Sequence, residues 1–189
     1  MGSLRVDARR NRSRIVRAAR LSFAERGLGT AVHLIADRAG VGIGTLYRHF
    51  PSKQSLIDAA LAQRLDELQP SIEGALKAAD AWNGFGELLL AMVAAQVQDR
   101  GFSQMFGPSD TGAISDQLRA RLLRPLERLM VKAQLAGRMR SDLVASDLPA
   151  ILRMAGAAAQ HAEPPQDWRR HVGLLLDGLQ SSGGIVDRN

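Results

Sequence analysis

At 189 residues, the chain is long enough for one large or two small domains and for a sizeable buried core. Aromatic residues make up only 4 % and cysteine is absent, which argues against a β-sandwich or barrel and excludes disulfides and thiolate metal sites. The net charge of +6 is unevenly held: residues 1–53 carry eleven Lys/Arg against three Asp/Glu, while the remainder is nearly balanced, so one end is suited to a polyanion.

The N-terminus is rich in arginine, and no apolar segment follows it. The sequence therefore predicts no signal peptide and a cytoplasmic location. The longest apolar run, Leu88 to Ala95, is too short to span a bilayer. Residues 1–6 are expected to form a mobile arm. A first helix over about 8–26 follows, because Ile15, Ala19 and Phe23 recur at i, i+4 and i+8 and Gly27 ends the run.

Two short helices come next, over about 33–39 and 43–49. Gly40 between them supplies the positive φ of a tight turn, Ala36 lets the helices cross closely, and Val41 and Leu46 plug the seam. This is the plan of a helix-turn-helix. Pro51-Ser52-Lys53 breaks the chain, and Ser52 is placed to cap a fourth helix that carries Leu56, Ala60, Leu61, Leu65 and Leu68 to a stop at Pro70. Further helices are predicted near 71–79, 82–99, 115–136, 147–161 and 166–181, separated by signals such as Gly107-Pro108-Ser109-Asp110 and Pro164-Pro165. Pro125 predicts a kink or break inside one of them.

The run from Ile35 to Lys53, with Arg14 to Gly27 upstream, resembles the DNA-binding end of the tetracycline-repressor (TetR) family of bacterial regulators. The resemblance implies an all-α fold: a three-helix DNA-binding domain over 1–52, joined by helix 4 to a helical effector-binding and dimerisation domain over 53–189. Gly42 stands where the family usually has Ser. Ala31 stands where Thr or Ser often caps the second helix, and Thr30 is the candidate replacement cap.

Carried over by motif, the base-reading positions are His33, Ile43, Gly44 and Thr45. Gly42 offers close backbone approach, Arg48 is exposed on the same helix, and Tyr47, His49 and Lys53 match the phosphate-contacting positions. His33 and Thr45 have polar atoms for base edges, and Ile43 suits a thymine methyl group. The family also implies a pocket for a small-molecule effector. Its candidate lining is Trp82, Phe85, Met92, Gln96, Phe102, Met105, Phe106, Met130, Gln134 and Met154, although such side chains at helical spacing also serve as plain core. Small residues in the last two helices suggest close packing, either inside one subunit or across a two-fold dimer interface built on Gly156, Ala159, Val172, Leu175, Leu176 and Leu179.

No enzyme motif is visible. The histidines at 33, 49, 161 and 171 lack metal-ligand spacing, and no phosphate loop or nucleophile elbow is present. No cofactor and no metal are expected. The resulting expectation is a homodimeric repressor released from a palindromic DNA operator by a small molecule, with a ligand-independent DNA-binding dimer or an activator as alternatives.

Overall fold

A computed structural model describes residues 2–106, 115–160 and 168–181, with side chains from residue 6 onward. The predicted separators at 107–110 and 164–165 lie outside the described residues. The helices are α1 (Gly2–Arg26), α2 (Val32–Ala39), α3 (Ile43–His49), α4 (Lys53–Lys77), α5 (Ala81–Gln98), α6 (Arg100–Gln104), α7 (Asp116–Leu135), α8 (Leu148–Gln160) and α9 (Trp168–Asp177). One 3-10 turn, Ala145–Asp147, precedes α8. No strand occurs among the described residues, only an isolated bridge between Met139 and Gln180.

The fold class is the all-helical one expected, but several boundaries differ. The helix begins at Gly2, where a mobile arm was expected. Pro70 does not stop α4, which absorbs the separate helix expected over 71–79. A proline removes one backbone donor, but Leu68, Ile72 and Ala75 around it are buried, so side-chain packing holds the helix through the missing bond. Pro125 likewise lies inside the single helix α7. The helix expected over 82–99 is α5, and a further short helix not predicted from the sequence, α6, follows it with Asp99 as its N-cap.

Two compact units emerge: residues 1–67 with 98–119, and residues 68–97 with 120–189. In the first, Ile15, Ala19 and Phe23 of α1 pack in a core with Ile35 of α2, Leu46 of α3 and Leu56 and Leu65 of α4, all of them buried. Helix α6 belongs to this unit. A Cβ on Gly101 would lie 3.0 Å from the Phe23 Cβ and 3.1 Å from its carbonyl oxygen, so a larger residue would have to push α6 and α1 apart by a few tenths of an ångström. The Leu28 N–H donates to Gln104 Oε1 at 2.7 Å, and Phe102 meets Phe106 edge to face at 5.6 Å.

A charged cluster ties the same unit together. Arg20 of α1 donates to Glu67 at 2.8 Å and pairs with Asp99 at 3.1 Å, while Arg64 of α4 pairs with Glu67 at 2.8 Å. Asp99 is only 3 % exposed, and its Oδ1 accepts the Phe102 N–H at 2.9 Å, capping α6. Burial alone would raise the Glu67 carboxyl, but hydrogen bonds from Arg20 and Arg64 outweigh it and hold the group below its ordinary value.

The second unit packs Leu88, Leu89, Met92 and Val93 of α5 with Leu126 and Leu129 of α7, and with Leu152 of α8 and Val172 of α9, in one apolar core. A Cβ on Gly84 would collide with the Ala75 carbonyl oxygen, which explains a glycine inside α5.

Candidate nucleic-acid interface

The turn between α2 and α3 is built from the backbone outward. Gly40 adopts φ 62° and ψ 42°, the left-handed conformation that side chains disfavour. Its N–H returns to the Asp37 carbonyl and that of Val41 to the Ala36 carbonyl, closing α2. Arg14 reaches across from α1 to donate to the Ala39 carbonyl at 2.8 Å, so a cationic side chain finishes the same helix end. Ala36 and Leu46 are buried in the seam, which fixes α3 against α2.

Thr30 does not cap α2. Its hydroxyl donates to the Gly27 carbonyl at 2.7 Å and so closes the end of α1, leaving Ala31 as an N-cap without a side-chain hydrogen bond. Ser52 does cap α4: its Oγ accepts the Ser55 N–H at 3.0 Å while the Ser52 N–H donates to Ser55 Oγ at 3.2 Å.

With Leu46 turned inward, the outer face of α3 presents Gly42, Ile43, Gly44, Tyr47 and Arg48, with Thr45 and His49 half-buried at its edges. His33 is exposed on the first turn of α2, and Lys53, half-buried, opens α4. Ile43 is 45 % and Tyr47 46 % exposed, so both side chains are open to a partner on this face. No atom lies within 4 Å of a Cβ placed on Gly42 or Gly44, so their lack of side chains serves nothing inside the protein. The face is shallow and smooth, with cations at its margin, and it suits close contact with a polyanionic groove.

The second unit places the other candidates. Trp82 stacks near Phe85 at 6.3 Å, and both are buried with Met92 and Met130. Gln96 is buried and donates to the Leu152 carbonyl at 3.2 Å, while Gln134 donates to the Arg140 and Leu143 carbonyls at 3.0 and 2.8 Å. These amides satisfy backbone groups. Met154 is 53 % exposed and lies outside the interior expected for it. Phe102, Met105 and Phe106 fall in the first unit, with α6.

Among the residues suggested for a dimer interface, Gly156, Ala159, Val172 and Leu179 are buried within their own unit. Any side chain at Gly156 would collide with Gln96 Oε1, so this glycine lets α8 approach α5. Leu175 and Leu176 are half-buried, and the outward positions are Met154, Ala157, Ala158 and Leu174. Among the described residues no group of His, Asp or Glu could hold a metal ion, and no helix is long and apolar enough to cross a membrane.

A buried-seam helix pair joined through a left-handed glycine, on a basic unit, defines a helix-turn-helix DNA-binding protein. Residues 15–60 match the model of bacterial regulatory proteins of the tetR family, and residues 77–181 match the SbtR-like transcriptional regulator C-terminal domain. The transcriptional repressor KstR2 of Rhodococcus jostii is 48 % identical over 58 residues, which span 30 % of this chain and 28 % of KstR2. A TetR transcription regulatory protein from Mycobacterium vanbaalenii is 33 % identical across 94 % of this chain and 99 % of its own, with a TM-score of 0.55. FadR from Bacillus subtilis, solved in complex with stearoyl-CoA, shares the fold at 16 % identity over 87 % of this chain and 95 % of its own, with a TM-score of 0.65. The chain belongs to the TetR family, whose members are transcription regulators and not enzymes.

Proposed function

We propose that the chain is a homodimeric repressor whose two copies of α3 enter successive major grooves of a near-palindromic operator and release it when a small molecule binds. The observation that carries this reading is the exposed face of α3 over its buried Leu46. His33, Ile43, Gly44 and Thr45 read bases on this assignment, and Gly42 brings backbone close. Tyr47, Arg48, His49 and Lys53 hold phosphates. So few polar side chains on the reading face favour selectivity by DNA shape as much as by hydrogen bonds.

We assign DNA reading to residues 1–52, assisted by Lys53 at the start of α4, and effector binding with dimerisation to 53–189. The outward positions of α8 and α9, with Met154 at 53 % and Leu174 at 58 % exposure beside Ala157 and Ala158, support a self-complementary helical interface there. FadR shares the fold and carries stearoyl-CoA. That likeness supports an effector with an apolar portion in the second unit, near Phe85, Met92 and Met130. Its effect on DNA binding requires unequal affinity for the DNA-bound and free conformers, transmitted along α4.

Selection of genomic fragments on the immobilised protein tests the reading. A palindromic consensus bound by two chains is expected, and a metabolite panel should contain a compound that lowers operator affinity. Selection of fragments with no shared sequence would overturn the reading. A shared sequence that no compound releases would leave the ligand-independent dimer.

A further inference from the structure

The helix that precedes the DNA-reading pair is longer than its core requires. Helix α1 starts at Gly2, whereas its first buried residue is Ile15 and the tetR-family match also begins at 15. Residues 6–17 hold five arginines and one carboxylate, Asp7. Arg14 is engaged with the Ala39 carbonyl, and Arg12 sits over the Phe50 ring at 5.0 Å. Arg9 and Arg10 are exposed, with no hydrogen bond or ion pair to any described residue.

The side-chain pairings show which way this segment runs. Arg20 meets Glu67, and a groove of about 290 Å³ is lined by Arg12, Ser13 and Val16 on one side and Ala59, Gln63 and Asp66 on the other. Position by position, α1 therefore runs parallel to α4. Stepping back from Arg20 to Arg9 covers about 16 Å, and from Glu67 to Lys53 about 21 Å, at 1.5 Å per residue. Arg9 and Arg10 thus stand about one helical turn from the level of Lys53, and the Arg12–Phe50 contact fixes the segment beside the end of α3.

We infer that Arg9 and Arg10 grip DNA phosphates beside those held by Lys53, widening the footprint beyond the helix-turn-helix. Long unpaired cations at the same end of the unit as the reading helix are complementary to the next stretch of duplex backbone. The helical start matters because it fixes the backbone that carries these side chains before DNA arrives, which lowers the entropy lost on binding. This inference rests on the DNA-binding assignment made above.

The test uses the 189-residue chain and a mixed-sequence duplex of about 40 base pairs, since phosphate contacts do not depend on sequence. Affinity is measured across a salt series for the wild type, the R9A/R10A and R9K/R10K double variants, and Lys53→Ala. Each lost phosphate contact should flatten the slope of log K against log salt by about 0.9, so the wild type's advantage over R9A/R10A should shrink about tenfold between 50 and 200 mM salt. The lysine pair should keep most of that advantage. An unchanged slope for R9A/R10A, or a loss of affinity that salt leaves constant, overturns the inference while a Lys53 effect keeps the DNA-binding assignment intact. If neither Lys53→Ala nor R9A/R10A alters binding, both fail.

Discussion

Replacing Asp99 separates two contributions that the structure joins in one carboxylate. Its Oδ1 caps α6 through the Phe102 N–H at 2.9 Å, and its Oδ2 faces Arg20 at 3.1 Å. Loss of the cap in Asp99→Ala should cost about 0.5–2 kcal/mol. Loss of the charge should cost less than the about 3–5 kcal/mol typical of a broken buried pair, because Arg20 and Arg64 each keep Glu67 at 2.8 Å. Adding about 1–2 kcal/mol for the charge gives about 1.5–4 kcal/mol for Asp99→Ala. Asp99→Asn keeps an N-capping oxygen and should lose only about 1–2 kcal/mol, the charge part. In a chain of this size each kcal/mol corresponds to about 2–4 °C in Tm.

Urea and thermal unfolding would be followed by two probes. Both tryptophans, Trp82 and Trp168, lie in the second unit, so fluorescence follows that unit while circular dichroism follows every helix. The dichroism midpoint should fall more than the fluorescence midpoint in both variants. Equal losses in Asp99→Ala and Asp99→Asn would refute the capping role. An Asn variant as stable as the wild type would refute any contribution from the charge.

Gly44→Ala should stabilise the free protein by about 0.8–1 kcal/mol, since the new methyl meets nothing within 4 Å and helix propensity improves. It should also weaken operator binding, and unchanged affinity in a gel-shift titration would mean that the α3 backbone does not approach the bases. Hydrogen bonds from Arg38, reinforced by its charge, hold the Glu25 carboxyl below its ordinary value of 4.5. That pair therefore stabilises above the ordinary value and is lost as pH falls through the lowered folded one; acid unfolding of Glu25→Gln should show a flatter dependence in that range. Gly156→Leu should destabilise the fold by forcing Gln96 out of place. Leu174→Glu with Met154→Glu should instead give a folded monomer in sedimentation, and a double variant that remains dimeric would move the interface elsewhere.

What could be read from the sequence is what neighbouring residues decide. Gly27 and Gly40 end their helices because backbone conformation is local, and Leu46 points inward because helical periodicity alone orients it. Ser52 caps α4 for the same reason. Pro70 misled because its penalty is local while the burial of Leu68, Ile72 and Ala75 that outweighs it is tertiary. Thr30, expected to cap α2, instead turns its hydroxyl back to the Gly27 carbonyl, because that acceptor lies within its reach, while α2 begins at Ala31 without a side-chain cap. Gly156 shows the same limit: a small residue announces close approach, yet only the fold says that Gln96 is what approaches. The Arg20, Arg64, Glu67 and Asp99 cluster left one faint trace, an Asp three residues before Phe102 in the pattern of a helix cap. Its partners come from three distant segments, and no spacing rule joins them.

The return of residues 98–119 to the first unit bears on how such regulators can be recombined. A reading head cut from the chain after Glu67 would leave Phe23 without Gly101, Leu28 N–H without Gln104, and Arg20 without Asp99. Chimeras that graft this head onto another sensor should therefore carry α6 as cargo, or import a host helix with a glycine and an aspartate at the matching places. Modularity here follows contacts and not the order of the chain. A splice drawn at a single point along the polypeptide cuts through one cooperative body.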